Sequence, residues 1–409
     1  MAVVSGSEVR GDAAAFSRGV GVHRPLNWAS VSPADPMLYL WPPFATADHA
    51  VSDSLIGRLR SGGFDFVRLT VDPGPFLQMT GRRRQELDVV LRDTIRRFRG
   101  HGLGVLVNFH GNSQVAAVRP EVVFRDSTAP LFTAYVAMVG QTARLLAELK
   151  DPGVALEPVN EPPAGYDDET AARWQSMMEA LYRAARGQAP ELLIVVTGAQ
   201  GGSRRGLMRL DPAPFRDGNV LYSFHYYEPH ILTHQGVESH EPEDTEIWRY
   251  LQGLPFPASS GDRAGAVVAV QRRIAADTTL AGGERQRLSG IAERAVGAYF
   301  SEDWSDTSIH AAFDEVAAWA ARHAVDPHRI LLGEFGATRI AAPNPPHDAM
   351  RASWLRDVRC AAERRRFRWA IWELNGGGGM AIVDPLAPER LDGATLVALG
   401  LFPGLGCRL

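Results

Sequence analysis

Cysteine is nearly missing: Cys360 and Cys407 are the two thiols in 409 residues. That excludes a disulfide-stapled scaffold, and it fits either a reduced chain or one late disulfide in an exported protein. An excess of one charge is missing too. With 43 basic and 47 acidic residues the formal net charge is −4, which gives no reason to expect nucleic acid or an anionic membrane as a partner. No apolar run is long enough to span a bilayer. The amino terminus, "MAVVSGSEVRGDAAAFSRG", lacks the basic start and apolar core of a secretory leader. There is no internal repeat, low-complexity tract or Pro/Ser linker, so nothing suggests a solenoid or a string of tethered domains. "GAQGGSRRG" (198–206) is glycine-rich and basic but has neither Walker spacing nor a dinucleotide fingerprint.

What is present is an ordinary globular composition, 45% hydrophobic and 22% charged, arranged in a recurrent pattern. Short β-branched runs are followed by polar or glycine-rich stops and then by helical periodicity. The runs are "RGVGVH" (18–23), "FDFVRLTV" (64–71), "LGVLVNFH" (103–110), "VALEPVNE" (154–161), "ELLIVVTG" (191–198), "NVLYSFHY" (219–226), "RILLGEFG" (329–336) and "RWAIWELN" (368–375). Several are apolar on both faces, as strands of a covered parallel sheet are. Segments such as 83–102 and 167–187 carry apolar residues at helical spacing between acidic starts or glycine stops. Eight strands alternating with helices predict an α/β fold, a (β/α)8 TIM barrel filling 1–409 as a single domain. Pro158 cannot donate to a ladder, so the fourth strand needs an irregularity near its end. The stretch between the sixth and seventh strands is too long for one helix, and 228–308 reads as a long insertion after strand six, with Trp248 and Tyr250 offering stacking surfaces.

Barrels of this kind place their chemistry at the carboxyl ends of the strands. There the sequence puts Arg68 on strand two, His110 on three, Asn160 and Glu161 on four, His225 and Tyr227 on six, Glu334 on seven and Trp372 on eight. Pro162 holds Glu161 in extended geometry and stops the ladder, leaving its carboxyl group at the barrel mouth. Two carboxyl groups on separate strands of one rim suit glycosidic bond cleavage. One protonates the leaving oxygen, and the other attacks or activates water.

"NEP" and "GEFG" in this order, with "FHYYEP" and "NFHG", resemble glycoside hydrolase family 5, the cellulase and mannanase group, from "RGVGVH" to "IWELN". The resemblance implies a retaining β-glycoside hydrolase using a two-glutamate double displacement on a β-linked glucan or related polysaccharide or oligosaccharide. It implies Glu161 as acid/base and Glu334 as nucleophile. Arg68, His110, Asn160, His225, Tyr227 and Trp372 would be supporting residues, with Asn160 on the hydroxyl beside the reacting carbon, Tyr227 and Arg68 against Glu334, and Trp372 as the sugar floor. It suggests a secreted or periplasmic enzyme. No cofactor or metal is expected, because the carboxyl groups supply both functions, and the chain is expected to act as a monomer.

His230, His234 and His240 are candidate zinc ligands, since "HILTH" has helical ligand spacing. No glutamate follows the first histidine as in a zinc protease. Substrate contact by His234 or Gln235 is the expectation instead. Glu157 and Glu373 read as structural acids. A transglycosylase with the same residues, a silent carbohydrate-binding barrel and a metal-dependent barrel hydrolase remain alternatives. Glucan, mannan and exopolysaccharide substrates stay open, as does endo against exo action.

Overall fold

The computed structural model describes residues 16–163, 165, 167–239, 243–339, 345–376, 379–401 and 407. The stretch 1–15, which lacks a leader pattern in sequence, lies outside them, as does His240. The described chain divides into two compact units.

The first unit comprises Met1–His225, Val316–Glu334 and Arg366–Leu374. It holds eight parallel strands closed into a barrel in sequence order: β1 Arg18–Leu26, β2 Phe66–Val71, β3 Gly104–Phe109, β4 Val154–Glu157, β5 Leu193–Thr197, β6 Val220–His225, β7 Ile330–Glu334 and β8 Arg368–Ile371. Each of the eight apolar runs is a strand. β2 and β3 are buried along their whole length, as expected of strands covered on one face by helices and on the other by the barrel interior. The helix Gly81–Gly100 buries Leu87, Leu91, Ile95 and Phe98, one stripe at helical spacing. The helix Asp168–Gln188 starts at Asp167, whose side chain accepts the Thr170 N–H at 2.7 Å. A cap of this type contributes about 1 kcal/mol.

The strand period of two builds the interior in layers. Phe66, Leu106, Ala155, Val195, Leu221, Leu331 and Ala370 form one apolar cluster closed by Phe16. Two residues further along five of these strands stand Arg68, Asn108, Glu157, Thr197 and Ser223, all buried. An apolar plug thus underlies a polar layer, and each large apolar side chain in it contributes about 1.5–3 kcal/mol.

Regular pairing on β4 stops at Glu157, directly before Pro158, and resumes only where the Asn160 N–H donates to the Phe109 carbonyl at 2.9 Å. Tyr135 secures the detour by donating its hydroxyl to the Pro158 carbonyl at 2.8 Å. The strand expected over 154–161 is therefore shorter, because the proline has no N–H for the ladder.

The second unit comprises Tyr226–Glu315, Phe335–Arg365 and Asn375–Leu409. Helices Arg263–Ala276 and Gly282–Ser301 pack together in it. Tyr250 and Phe256 are buried, and the Tyr250 hydroxyl donates to Asp277 at 2.6 Å. Tyr250 was expected to offer a face to a sugar; it serves instead in the core of the insertion. Cys360 and Cys407 are joined as a disulfide.

Candidate active site

Arg68 is the centre of the polar layer in the first unit. It has no exposed surface. Its Nε donates to Glu157 at 2.6 Å, Nη1 to Glu334 at 2.5 Å and Nη2 to the Asn160 Oδ1 at 2.7 Å. A planar guanidinium bound through three nitrogens has one orientation. Burial pulls its pKa down, but Glu157 and Glu334 together outweigh burial and raise it above the ordinary value, so the charge is permanent.

Asn160 turns its amide nitrogen to the His110 Nε2 at 3.3 Å, and the His110 Nδ1 lies 3.3 Å from the Asn108 Oδ1. Burial, joined by the charges of His23, Arg68 and His225, holds the His110 pKa well below its ordinary value despite Glu334. Neutral His110 then donates from Nδ1 and accepts at Nε2, which matches both neighbours. Its ring stacks on Trp372 with centroids 5.4 Å apart and planes 13° apart. His23 meets the same indole edge-on at 5.1 Å. Gly21 lets the indole approach: a Cβ there would stand 2.7 Å from the ring.

His225 joins the two glutamates. Its Nδ1 lies 2.8 Å from the Glu161 Oε1 and 3.6 Å from the Glu334 Oε2. Burial pulls its pKa down, but the charge of Glu334 and the bond and charge of Glu161 carry it above the ordinary value. Gly333 makes room for the ring, since a Cβ there would lie 3.2 Å from Nε2 and 2.4 Å from the Ser223 hydroxyl. One oxygen of Glu161, one of Glu334 and a nitrogen of His225 all lie within 4.8 Å of one another. The two carboxylates differ in access: the Glu161 side chain is 43% exposed and that of Glu334 is 5% exposed. Glu161 can meet solvent and a departing group, whereas Glu334 is clamped. Among the described residues these three groups are the one set able to converge on a cation. The Arg68 charge on the Glu334 carboxylate opposes a metal there.

A cavity of about 390 Å³ opens beside Glu161, lined among others by His110, Asn112, Tyr135, Asn160 and Gln200. Arg68, His110, Asn160, Glu161, His225, Glu334 and Trp372 therefore lie together in one unit. The other expected site residues belong to the second unit. There Tyr227 accepts the Thr233 hydroxyl at its carbonyl at 2.6 Å, and its ring lies 5.6 Å from that of His234. His234 packs on Trp248 at 4.7 Å, and burial first, then His230, lowers its pKa to about 3. Gln235 is a correction. It has no exposed surface, and its amide is engaged by the Leu232 carbonyl at 3.0 Å and the Leu254 N–H at 2.7 Å. It holds the loop and offers no group to a sugar.

Three further residues stand beside this cluster. Glu157 was read as structural, yet it binds the same guanidinium as Glu334. His23 closes the run "RGVGVH", and a polar residue ending a barrel strand is a site signal. Burial, with Arg24 and Arg68, lowers its pKa to about 4 against Glu334. Trp28, just beyond β1, is 49% exposed, has a left-handed backbone (φ +53°) and donates its indole N–H to the His23 Nε2.

The chain is similar to known proteins in sequence and in fold. Endoglucanase 3 of Fibrobacter succinogenes is 24% identical over 248 residues, covering 59% of this chain and 33% of that protein. Cellodextrinase A of Ruminococcus flavefaciens is 25% identical over 192 residues, covering 46% of this chain and 55% of that one. The chain thus spans about a third to a half of the length of these curated relatives. A solved broad-specificity endoglucanase of Bacteroides salanitronis shares the barrel with a TM-score of 0.68 at 15% identity, covering 98% of this chain and 99% of its own. The sequence pattern of the cellulases matches residues 25–378, and the chain belongs to glycosyl hydrolase family 5.

Proposed function

We propose that the chain is a retaining β-glycoside hydrolase acting on a β-linked glucan or related polysaccharide. The observation that carries the reading is the closeness of the Glu161 and Glu334 carboxylates, with oxygens within 4.8 Å. Retaining enzymes hold the pair about 5–5.5 Å apart, whereas inverting ones leave about 6.5–9.5 Å for a water. Glu334 attacks the anomeric carbon as the bond to the leaving oxygen breaks, and Glu161 gives its proton to that oxygen. Water then loses a proton to Glu161 and attacks the same carbon, releasing Glu334. Arg68 and Asn160 hold the nucleophile side, Trp372 supplies an apolar floor, and the cavity beside Glu161 gives the leaving group room. The names of the relatives, an endoglucanase and a cellodextrinase, direct the substrate reading to glucans.

A panel of β-glucans, mannans and bacterial exopolysaccharides, with sizing of the products, tests this. Wild-type protein should release oligosaccharides from a β-linked glucan, and the Glu334→Gln variant should not. Equal product release by both proteins from every polymer would defeat the reading.

A further inference from the structure

Glu157 shares Arg68 with the nucleophile. It lies on β4 four residues before Glu161, has no exposed surface, and accepts from the Arg68 Nε at 2.6 Å. Its other oxygen is buried without a hydrogen-bond partner among the described residues, so Arg68 is the group that answers its charge. The same guanidinium reaches Glu334 through Nη1 at 2.5 Å. One cation therefore serves two carboxylates, and because Arg68 and Glu157 have no exposed surface and the Glu334 side chain is 5% exposed, their charge interactions are strong.

A nucleophile must be ionised but not too tightly held. With the whole Arg68 charge on Glu334, its carboxylate would be well ionised and correspondingly sluggish. With no Arg68, burial would favour its protonated form. We propose that Glu157 is a positioning residue that fixes the Arg68 fork and draws off part of its charge, so that Glu334 stays ionised and reactive. This rests on the two-carboxylate reading above.

Other charged or titratable groups stand around Glu334 as well. His225 of β6 stands 3.6 Å away, and Glu161 at the end of β4 has an oxygen within 4.8 Å. His23 after β1, His110 after β3 and Glu373 after β8 also feel the charge of Glu334. None of them shares the Nε face of Arg68. A purely structural Glu157, which only neutralises a buried arginine, would affect folding and leave the ionisation of the nucleophile alone.

The test uses 2,4-dinitrophenyl β-cellobioside, whose leaving group needs no protonation, so the acid limb of kcat/KM reports the nucleophile of the free enzyme. In Glu157→Gln the acid limb should move to lower pH by about one pH unit, because Glu334 loses a repelling charge and gains an undivided cation. The plateau kcat should fall about ten-fold, with KM little changed. Glu157→Asp keeps the charge but shortens its reach; its limb should stay at the wild-type pH while kcat falls. A folded Glu157→Gln protein with an unmoved limb overturns the proposal. If Glu157→Gln does not fold, Glu157→Asp decides, and either a displaced limb or an unchanged kcat overturns it. Labelling wild type with the 2-deoxy-2-fluoro analogue should give a covalent adduct on Glu334. Absence of that adduct sinks the two-carboxylate reading and this proposal with it, a result distinct from an adduct with an unmoved limb.

Discussion

Two layers of the same barrel interior differ completely in what they do. The lower one, with Phe66, Leu106, Ala155, Val195 and Leu221, is apolar and without exposed polar groups to satisfy. The upper one, two residues later on the same strands, has Arg68, Asn108, Glu157, Thr197 and Ser223. Backbone and direction are shared, so a step of one pleat separates packing from chemistry. The upper layer is costly: buried polar groups must find partners. Arg68 does so with three charge-assisted or polar bonds, whereas Asn108 Nδ2, Thr197 Oγ1 and Ser223 Oγ have no partner among the described residues. The plug beneath it is what makes such a layer affordable in a marginally stable fold.

Substitutions in the two layers should separate along the same line. The largest effect is expected at the rim, from Glu334→Gln. It removes the proposed nucleophile and should lower turnover by several orders of magnitude on every substrate, with little change in melting temperature. Turnover within ten-fold of wild type would remove Glu334 from the nucleophile role.

Next comes Glu161→Gln. It should lose about 10²–10⁴-fold on a glycoside whose leaving group needs a proton, and far less on bond cleavage in the dinitrophenyl glycoside. Burst kinetics on both substrates makes the comparison, and equal losses would contradict the acid/base role. In the plug, Leu106→Ala should cost about 2–5 kcal/mol of stability, as other leucine truncations in cores do. Its kcat at a temperature where the variant is folded should stay near wild type. A large loss of kcat in folded protein would mean that the two layers are not separable.

The smallest effect is expected from Glu373→Gln. Burial first, then the Glu334 charge, pushes the Glu373 carboxyl up to about 8, with Arg24 opposing. A carboxyl group with a raised folded-state pKa is held protonated in the fold. Relative to the unfolded chain, its favourable contribution is complete at acid pH and is lost as pH rises from about 4.5 through about 8. The glutamine variant should therefore gain on wild type in urea unfolding as pH rises through that window, and match it near pH 4. A constant difference across the window would contradict the assignment.

The layering explains what could be read in the sequence. The eight strands were legible because strands buried on both faces leave unbroken β-branched runs. Most of the rim was legible because strand ends carry their polar residues next to turn signals, as in "NEP" and "GEFG". Glu157 was not, since an acid inside an apolar run looks like any buried charge until its arginine is known. Arg68 lies 89 residues away in the chain. Gln235 misled for the opposite reason. A polar residue in a loop after a strand end reads as a surface group, but this amide is spent on backbone partners, one of them 19 residues on at Leu254. Side-chain partnership across the chain has no local signature, whereas periodicity and strand-end placement do.

Double displacement requires Glu161 and Glu334 to be close enough for direct attack rather than for a water between them. The most direct measurement is the anomeric configuration of the first product, followed by proton NMR during hydrolysis of a β-linked cello-oligosaccharide, before mutarotation. Double displacement at Glu334 predicts that the β-anomer appears first and converts slowly to the α-anomer. Initial release of the α-anomer would contradict it.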